Sequence, residues 1–293
     1  MPTALELVDE YLSYNDLSPQ TEKNYKRSAM KFGGVNMDKL SYKGIIAILE
    51  KKFPDNANSR ASLLNIAIIA TKHRHDLNDR LINYRIKLRE EIDTHRKSKL
   101  HQDLETLPTY EHLITELDKA SGLKYVINYL LINLGFRVGD FKMQYKLRKG
   151  EIPDSKDMNF IYLNPKTKQF TLYINKYKTS ATYGKKVLKI KSPRLMEEFR
   201  KLNLKDNDYL ISKKDGEIPS PSYLTDTLQK LTIDNLGETR IYKIVVKHMI
   251  DEKDFDGIKE LSSSRGTSIE TIMSSYNLYA GGKKMPENAE DSE

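Results

Sequence analysis

The chain has 293 residues with no cysteine or tryptophan, and its 49 lysines and arginines against 41 aspartates and glutamates give a formal charge of +8. That length predicts two domains of roughly 100 and 200 residues, the missing cysteines exclude disulfides and thiolate metal sites, and the positive balance favours a polyanionic partner. No apolar run approaches the ~20 residues of a membrane span and the N-terminus does not read as a cleaved leader, so a soluble, unprocessed intracellular protein of cytoplasm, nucleoid or nucleus is expected, without contact with a membrane.

In chain order, the first hundred residues read as helices. Thr3 and Glu6 have the spacing of a capping box, in which each side chain satisfies the other's free backbone donor, and Leu5, Val8 and Leu12 follow at helical intervals. Ser18-Pro19 opens a second helix, where serine caps and proline needs no donor, and Gly33-Gly34 ends it. That helix turns Tyr25, Ala29 and Phe32 toward a core and Lys23, Lys26, Arg27 and Lys31 largely elsewhere, as either a phosphate-facing or a solvated surface. Ser41 and Pro54 bracket a third helix. Leu63, Leu64, Ile66, Ile68 and Ile69 make a fourth that is apolar nearly all round, and Leu81 to Ile92 form a fifth.

From Thr94 to Pro108 the sequence turns polar, through His95-Arg96-Lys97-Ser98-Lys99, and an interdomain linker is expected there. The predicted domains are residues 1–98 and 105–293. Thr109 starts the second, whose helix from Leu123 to Leu134 leads into Arg137. Three strand-like runs follow, Asn159 to Leu163, Phe170 to Tyr177 and Lys186 to Ile190, with Asn164-Pro165 and Gly184 as turns. Ser192-Pro193 and Ser220-Pro221 each open a helix, the remainder to Tyr279 reads as helical, and Lys283 onward reads as a disordered tail. The expected fold class is mainly α with a small antiparallel β-sheet, in two domains.

Four separated pieces carry the residues that metal-free phosphodiester cleavage needs: a nucleophile, positive charge for the non-bridging oxygens, and a proton donor. Arginine suits the clamp through its planar, permanently charged fork, and lysine suits proton donation because its pKa follows its surroundings. The first piece is Leu134-Gly135-Phe136-Arg137-Val138-Gly139-Asp140. The second is Asn175-Lys176-Tyr177-Lys178-Thr179-Ser180 ahead of the run Lys186 to Ile190. The third is Arg240-Ile241-Tyr242-Lys243, and the fourth runs from Ser263 through Arg265 and Gly266 to Tyr276. Thr267 and Glu270 have capping-box spacing in the fourth, and Ile269, Ile272, Met273 and Tyr276 share one face, so Tyr276 also reads as a core aromatic. His248 sits on a helix past the third piece and reads as a partly exposed surface residue.

Together these pieces resemble the tyrosine site-specific recombinases, or phage integrases, as a divergent member of viral or mobile-element type. The first resembles that family's leading arginine motif, with a small residue two before the arginine and an acid three after it. The second is similar to its hairpin lysine, which makes Lys178 the candidate general acid and Lys176 the reserve. The third stands where the family has a histidine, two residues and a second arginine; either Arg240 or Lys243 fills the arginine position. Arg265 stands where the family has a histidine or tryptophan, and Tyr276 where it has its nucleophile.

The resemblance implies a helical core-binding domain and a catalytic domain clamped around double-stranded DNA. It also implies a 3′-phosphotyrosine intermediate, strand exchange with neither metal nor cofactor, and self-association of protomers from dimer to tetramer on paired sites. Two other classes stay open: a strand-transfer enzyme like the type IB topoisomerases or telomere resolvases, and a DNA-binding protein that keeps the fold without cleavage.

Overall fold

Side-chain caps, rather than bulk hydrophobicity, fix where most helices begin. The computed structural model describes residues 2–155, 157–164, 166–167, 169–213 and 216–281; Pro165 and the predicted tail from Lys283 lie outside them. The chain divides by its internal contacts into two units, residues 1–98 and 99–293.

In the first unit, α1 (Ala4–Ser13) starts from the Thr3 and Glu6 capping box, with the Thr3 N–H donating to Glu6 at 2.7 Å. Ser18 caps α2 (Pro19–Ala29), Ser41 caps α3 (Tyr42–Lys52) and Asn56 caps α4 (Ala57–Ala70), each through a backbone N–H three residues on. These caps satisfy donors that the first helical turn leaves without a partner. Val8, Phe32, Ile45, Leu49, Leu64, Ile66 and Leu81 are sealed in the core of this unit. Of the basic face of α2, Lys26 pairs with Asp9 at 2.8 Å and Lys31 lies 4.4 Å from the Phe53 ring, while Lys23 and Arg27 are exposed.

The expected linker is not a loop. Helix α5 runs unbroken from His75 to Thr106, and the division between the units falls inside it. Residues 94–106 hold neither glycine nor proline, and Leu100 and Asp103 are buried. The polar run is therefore the solvated part of a helix, not a break in one.

The second unit continues with α6 (Tyr110–Lys119), capped by Thr109, and α7 (Gly122–Leu134), whose residues Tyr125 to Asn128 and Leu130 to Ile132 are buried. Helix α7 packs against α6, α9 (Pro193–Arg200), α10 (Pro221–Leu231), α11 (Glu238–Asp251) and α12 (Phe255–Arg265). A seven-residue α13 (Ile269–Ser275) and a 3-10 turn, Leu278–Gly281, complete it.

The sheet differs from expectation. It has four strands in the order β1 (Met143–Lys146), β2 (Asn159–Asn164), β3 (Gln169–Ile174) and β4 (Lys186–Ile190), with a short α8 (Ser180–Tyr183) between the last two. The β2–β3 and β3–β4 pairs are antiparallel as predicted, but β1 lies parallel to β2, so the sheet is mixed. Strand β1, Met-Gln-Tyr-Lys, is too short and polar to show alternation, and distant partners hold it: Tyr145 N–H donates to Asp208 O at 2.8 Å, and Leu210 N–H to Met143 O at 3.0 Å. Phe170 of β3 meets Phe199 of α9 edge to face at 5.2 Å, which joins sheet and helices in one core.

Candidate active site

Gly135 ends α7 in the left-handed region, φ +62°, and a β-carbon there would stand 2.6 Å from Cε2 of Tyr242. Both the backbone and the space demand glycine. Beyond it the chain turns so that Arg137 precedes a 3-10 turn, Val138–Phe141, and its N–H donates to Asp140 Oδ2 at 2.7 Å. Asp140 is buried, and burial pushes its carboxyl up to about 6 against the opposing pull of Arg137.

The half-buried Arg137 guanidinium donates to Arg265 O at 2.7 Å and to Thr267 Oγ1 at 3.1 Å. Burial, and then the charge of Arg265, lowers its pKa. Two of its five N–H groups are thereby engaged. Beside it lies a cavity of about 350 Å³ that Lys142, Lys176 and Lys178 also line. Lys178 is exposed on this rim, whereas Lys176 is paired with Asp157 at 2.9 Å.

The turn bearing Lys178 is tied to the last helices. Thr179 Oγ1 donates to Gly266 O, and Gly266, at φ +63°, leaves room for Tyr177 and Thr179, which a β-carbon would meet at 2.5 and 2.7 Å. Lys186, at the start of β4, was not singled out from sequence. It donates to Ser263 O and lies 4.3 Å from the Tyr177 ring. Burial lowers its pKa, the Asp140 charge opposes this, and Arg137 lowers it further. Its only signal in the sequence is a basic residue where a strand begins after Gly184.

Arg265 ends α12 and is 2% exposed. It donates to Gly135 O at 2.5 Å and to Glu238 Oε1 at 3.1 Å, and its guanidinium lies 4.0 Å from the Tyr242 ring and 5.3 Å from the Tyr276 ring. Glu238 in turn accepts from the Val138 N–H. Tyr276 follows α13 directly, its ring packed edge to face on Tyr242 at 4.7 Å and 85°. The expected Thr267 and Glu270 capping box does not form. Ser268 caps α13 through the Thr271 N–H at 3.2 Å, because Thr267 instead accepts from Arg137.

Arg137, Lys178, Arg265 and Tyr276 thus gather in one region, and Arg240 and Lys243 lie apart from the Arg137 cavity. Arg240 is exposed at a second cavity of about 480 Å³, which Lys99, Glu238 and Lys243 also line. Lys243 is buried and paired with Asp103 at 2.6 Å. His248 stacks on Tyr110 at 3.9 Å, and the Tyr279 hydroxyl donates to Asp251 at 2.5 Å. Glu238 and Tyr242 also belong to the site, and nothing local in the sequence separates them from a first-turn acid and a buried aromatic of α11.

Among the described residues no cluster of three or more histidines and acids could hold a metal, and no helix is long and apolar enough to cross a membrane. Comparison with protein-family models, with curated proteins and with solved structures finds no match.

Proposed function

We propose that this protein breaks and rejoins double-stranded DNA through a phosphotyrosine at Tyr276, as a site-specific recombinase of the tyrosine type. The observation that carries this reading is the meeting of Arg137, Arg265 and Tyr276, with Arg137 and Arg265 hydrogen-bonded across 128 positions of sequence. In the proposed reaction the Tyr276 hydroxyl oxygen bonds to phosphorus, its proton passing to solvent, and the bond from phosphorus to the 5′ oxygen breaks. The free N–H groups of Arg137 hold the non-bridging oxygens as charge develops on them. Lys178, on the same cavity, delivers a proton to the leaving oxygen, and Lys186 adds positive potential nearby. Attack of a 5′-hydroxyl on the phosphotyrosine reverses these steps and rejoins a strand, between protomers paired on DNA.

Tyr279, three residues after Tyr276, is the neighbouring tyrosine that could act instead, but Asp251 holds its hydroxyl and burial raises its pKa. A second reading, DNA binding without cleavage, draws on Lys243, whose charge Asp103 already neutralises. A pool of nicked duplexes with randomised flanks separates the two. Wild type and Tyr279→Phe should form a denaturant-stable adduct that mass spectrometry maps to Tyr276, while Tyr276→Phe binds DNA and forms none. Binding by wild type without any adduct favours the second reading. Transfer of the captured strand to a second duplex distinguishes recombination from relaxation.

A further inference from the structure

Arginines in a phosphate-cleaving site are expected to present an open fork to the phosphate. Arg265 does not. It is 2% exposed, one terminal nitrogen donates to Gly135 O, the other to Glu238, and one face is covered by the Tyr242 ring at 4.0 Å. The contacts run instead toward the tyrosine. Tyr242, 1% exposed, meets the Tyr276 ring at 4.7 Å and 85°, and the guanidinium reaches the Tyr276 ring itself at 5.3 Å, so the three groups form one cluster. That is the edge-to-face geometry aromatic pairs prefer, and a guanidinium on a desolvated ring adds a cation–π attraction.

The Tyr242 hydroxyl and Arg265 Nε are both buried and find no hydrogen-bond partner among the described residues, so neither atom anchors the stack. Ring faces and charge hold it. Glu238 extends the assembly to the other side of the site, accepting from Arg265 with one oxygen and from Val138 N–H, next to Arg137, with the other.

We infer that Arg265 is a positioning residue for the nucleophile rather than a ligand of the phosphate: directly and through Tyr242 it fixes the Tyr276 ring, and through Glu238 it sets that ring against the Arg137 turn. The inference rests on the reading of Tyr276 as nucleophile. A ring free to swing would leave its oxygen out of line with the phosphorus for most of the time, and a small misplacement of a reacting atom is costly in rate.

The test uses the full chain and two nicked duplexes, one with an ordinary scissile phosphate and one with a methylphosphonate, which carries no charge and does not need a cation. Arg137→Ala should be slow on the phosphate and largely recovered on the methylphosphonate. Arg265→Met should be slowed on both by tenfold or more, and recovery on the methylphosphonate overturns the inference, because it makes Arg265 a phosphate ligand. Tyr242→Leu should slow adduct formation at least tenfold at unchanged duplex affinity, and Tyr242→Phe, which restores the ring, should recover it. An unslowed Tyr242→Leu overturns the inference, even where Arg265→Met does not fold.

A second readout does not depend on cleavage. With fluorotyrosine at position 276, the ¹⁹F resonance should shift in Tyr242→Leu and in Arg265→Met but stay in place in Lys178→Ala. A resonance unmoved by the first two overturns the inference. Absence of any wild-type adduct, with the ¹⁹F shifts as expected, leaves the positioning intact and removes only the nucleophilic role of Tyr276.

Discussion

Two sets of cations, alike as basic letters in the sequence, have opposite surroundings. Arg137 and Lys178 line a cavity open to solvent, and among the described residues Arg137 engages two of its five N–H groups. Arg265 and Lys243 lie in the interior, each with a carboxylate, Glu238 at 3.1 Å and Asp103 at 2.6 Å. Removing a charge from water is expensive unless a partner replaces the lost hydration, so each interior cation comes with its acid. The difference teaches that cations of one type can stand open to an anion from solvent or arrive already matched by an acid, according to where packing puts them.

The comparison breaks most readily at its open end. Arg137→Ala should lower the rate of adduct formation by about 10²–10³-fold with duplex affinity nearly intact, since a donor aimed at developing charge adds little to ground-state binding. Equal rates in single-turnover assays would remove Arg137 from the site. At the sealed end, Asp103→Ala leaves Lys243 buried and alone, which should cost about 3–5 kcal/mol of stability. The double variant Asp103→Leu with Lys243→Met should recover most of it, as read by denaturant unfolding. A single variant that costs nothing would show that the interior pair is not sealed.

Asp140, between the two sets, sharpens the contrast through pH. Its folded value, about 6, lies above the ordinary 3.8, so the folded chain holds this proton more tightly than the unfolded chain. The resulting stabilisation is fully present below the ordinary value and is lost as pH rises through about 6, leaving a charged, buried carboxylate that costs roughly 3 kcal/mol. Asp140→Asn keeps an acceptor for the Arg137 N–H and cannot ionise. Its stability relative to wild type should therefore rise by about 3 kcal/mol between about pH 3 and about pH 7. A constant difference would mean that Asp140 is as well solvated as the open rim. The smallest effect belongs to the cap of α13, the helix that leads into Tyr276: Ser268→Ala should cost about 1 kcal/mol, whereas Thr267→Ala, whose hydroxyl accepts from Arg137, should act on that contact.

What was legible in the sequence is what neighbouring residues settle among themselves. The caps at Thr3, Ser18, Ser41, Ser192 and Ser220 each act on a backbone N–H three residues ahead, so a short window holds all the information. The glycine before Arg137 and the two antiparallel strand pairs were readable for similar reasons: a left-handed turn needs glycine, and strands joined by short connections pair with one another. The basic candidates could also be found, because residue type limits what chemistry is available.

Tertiary structure decided the rest. Strand β1 exists because β2 and the Asp208 to Leu210 segment supply its hydrogen bonds, and the polar run after Thr94 stays helical within α5. Whether Thr267 caps a helix or serves Arg137 depended on a partner 130 positions away. Lys243 is spent on Asp103 and Arg265 on Gly135 and Glu238, across 140, 130 and 27 positions. A cation's availability is a matter of desolvation and of which acid stands beside it, and both are set by packing over distances that local sequence pattern does not span.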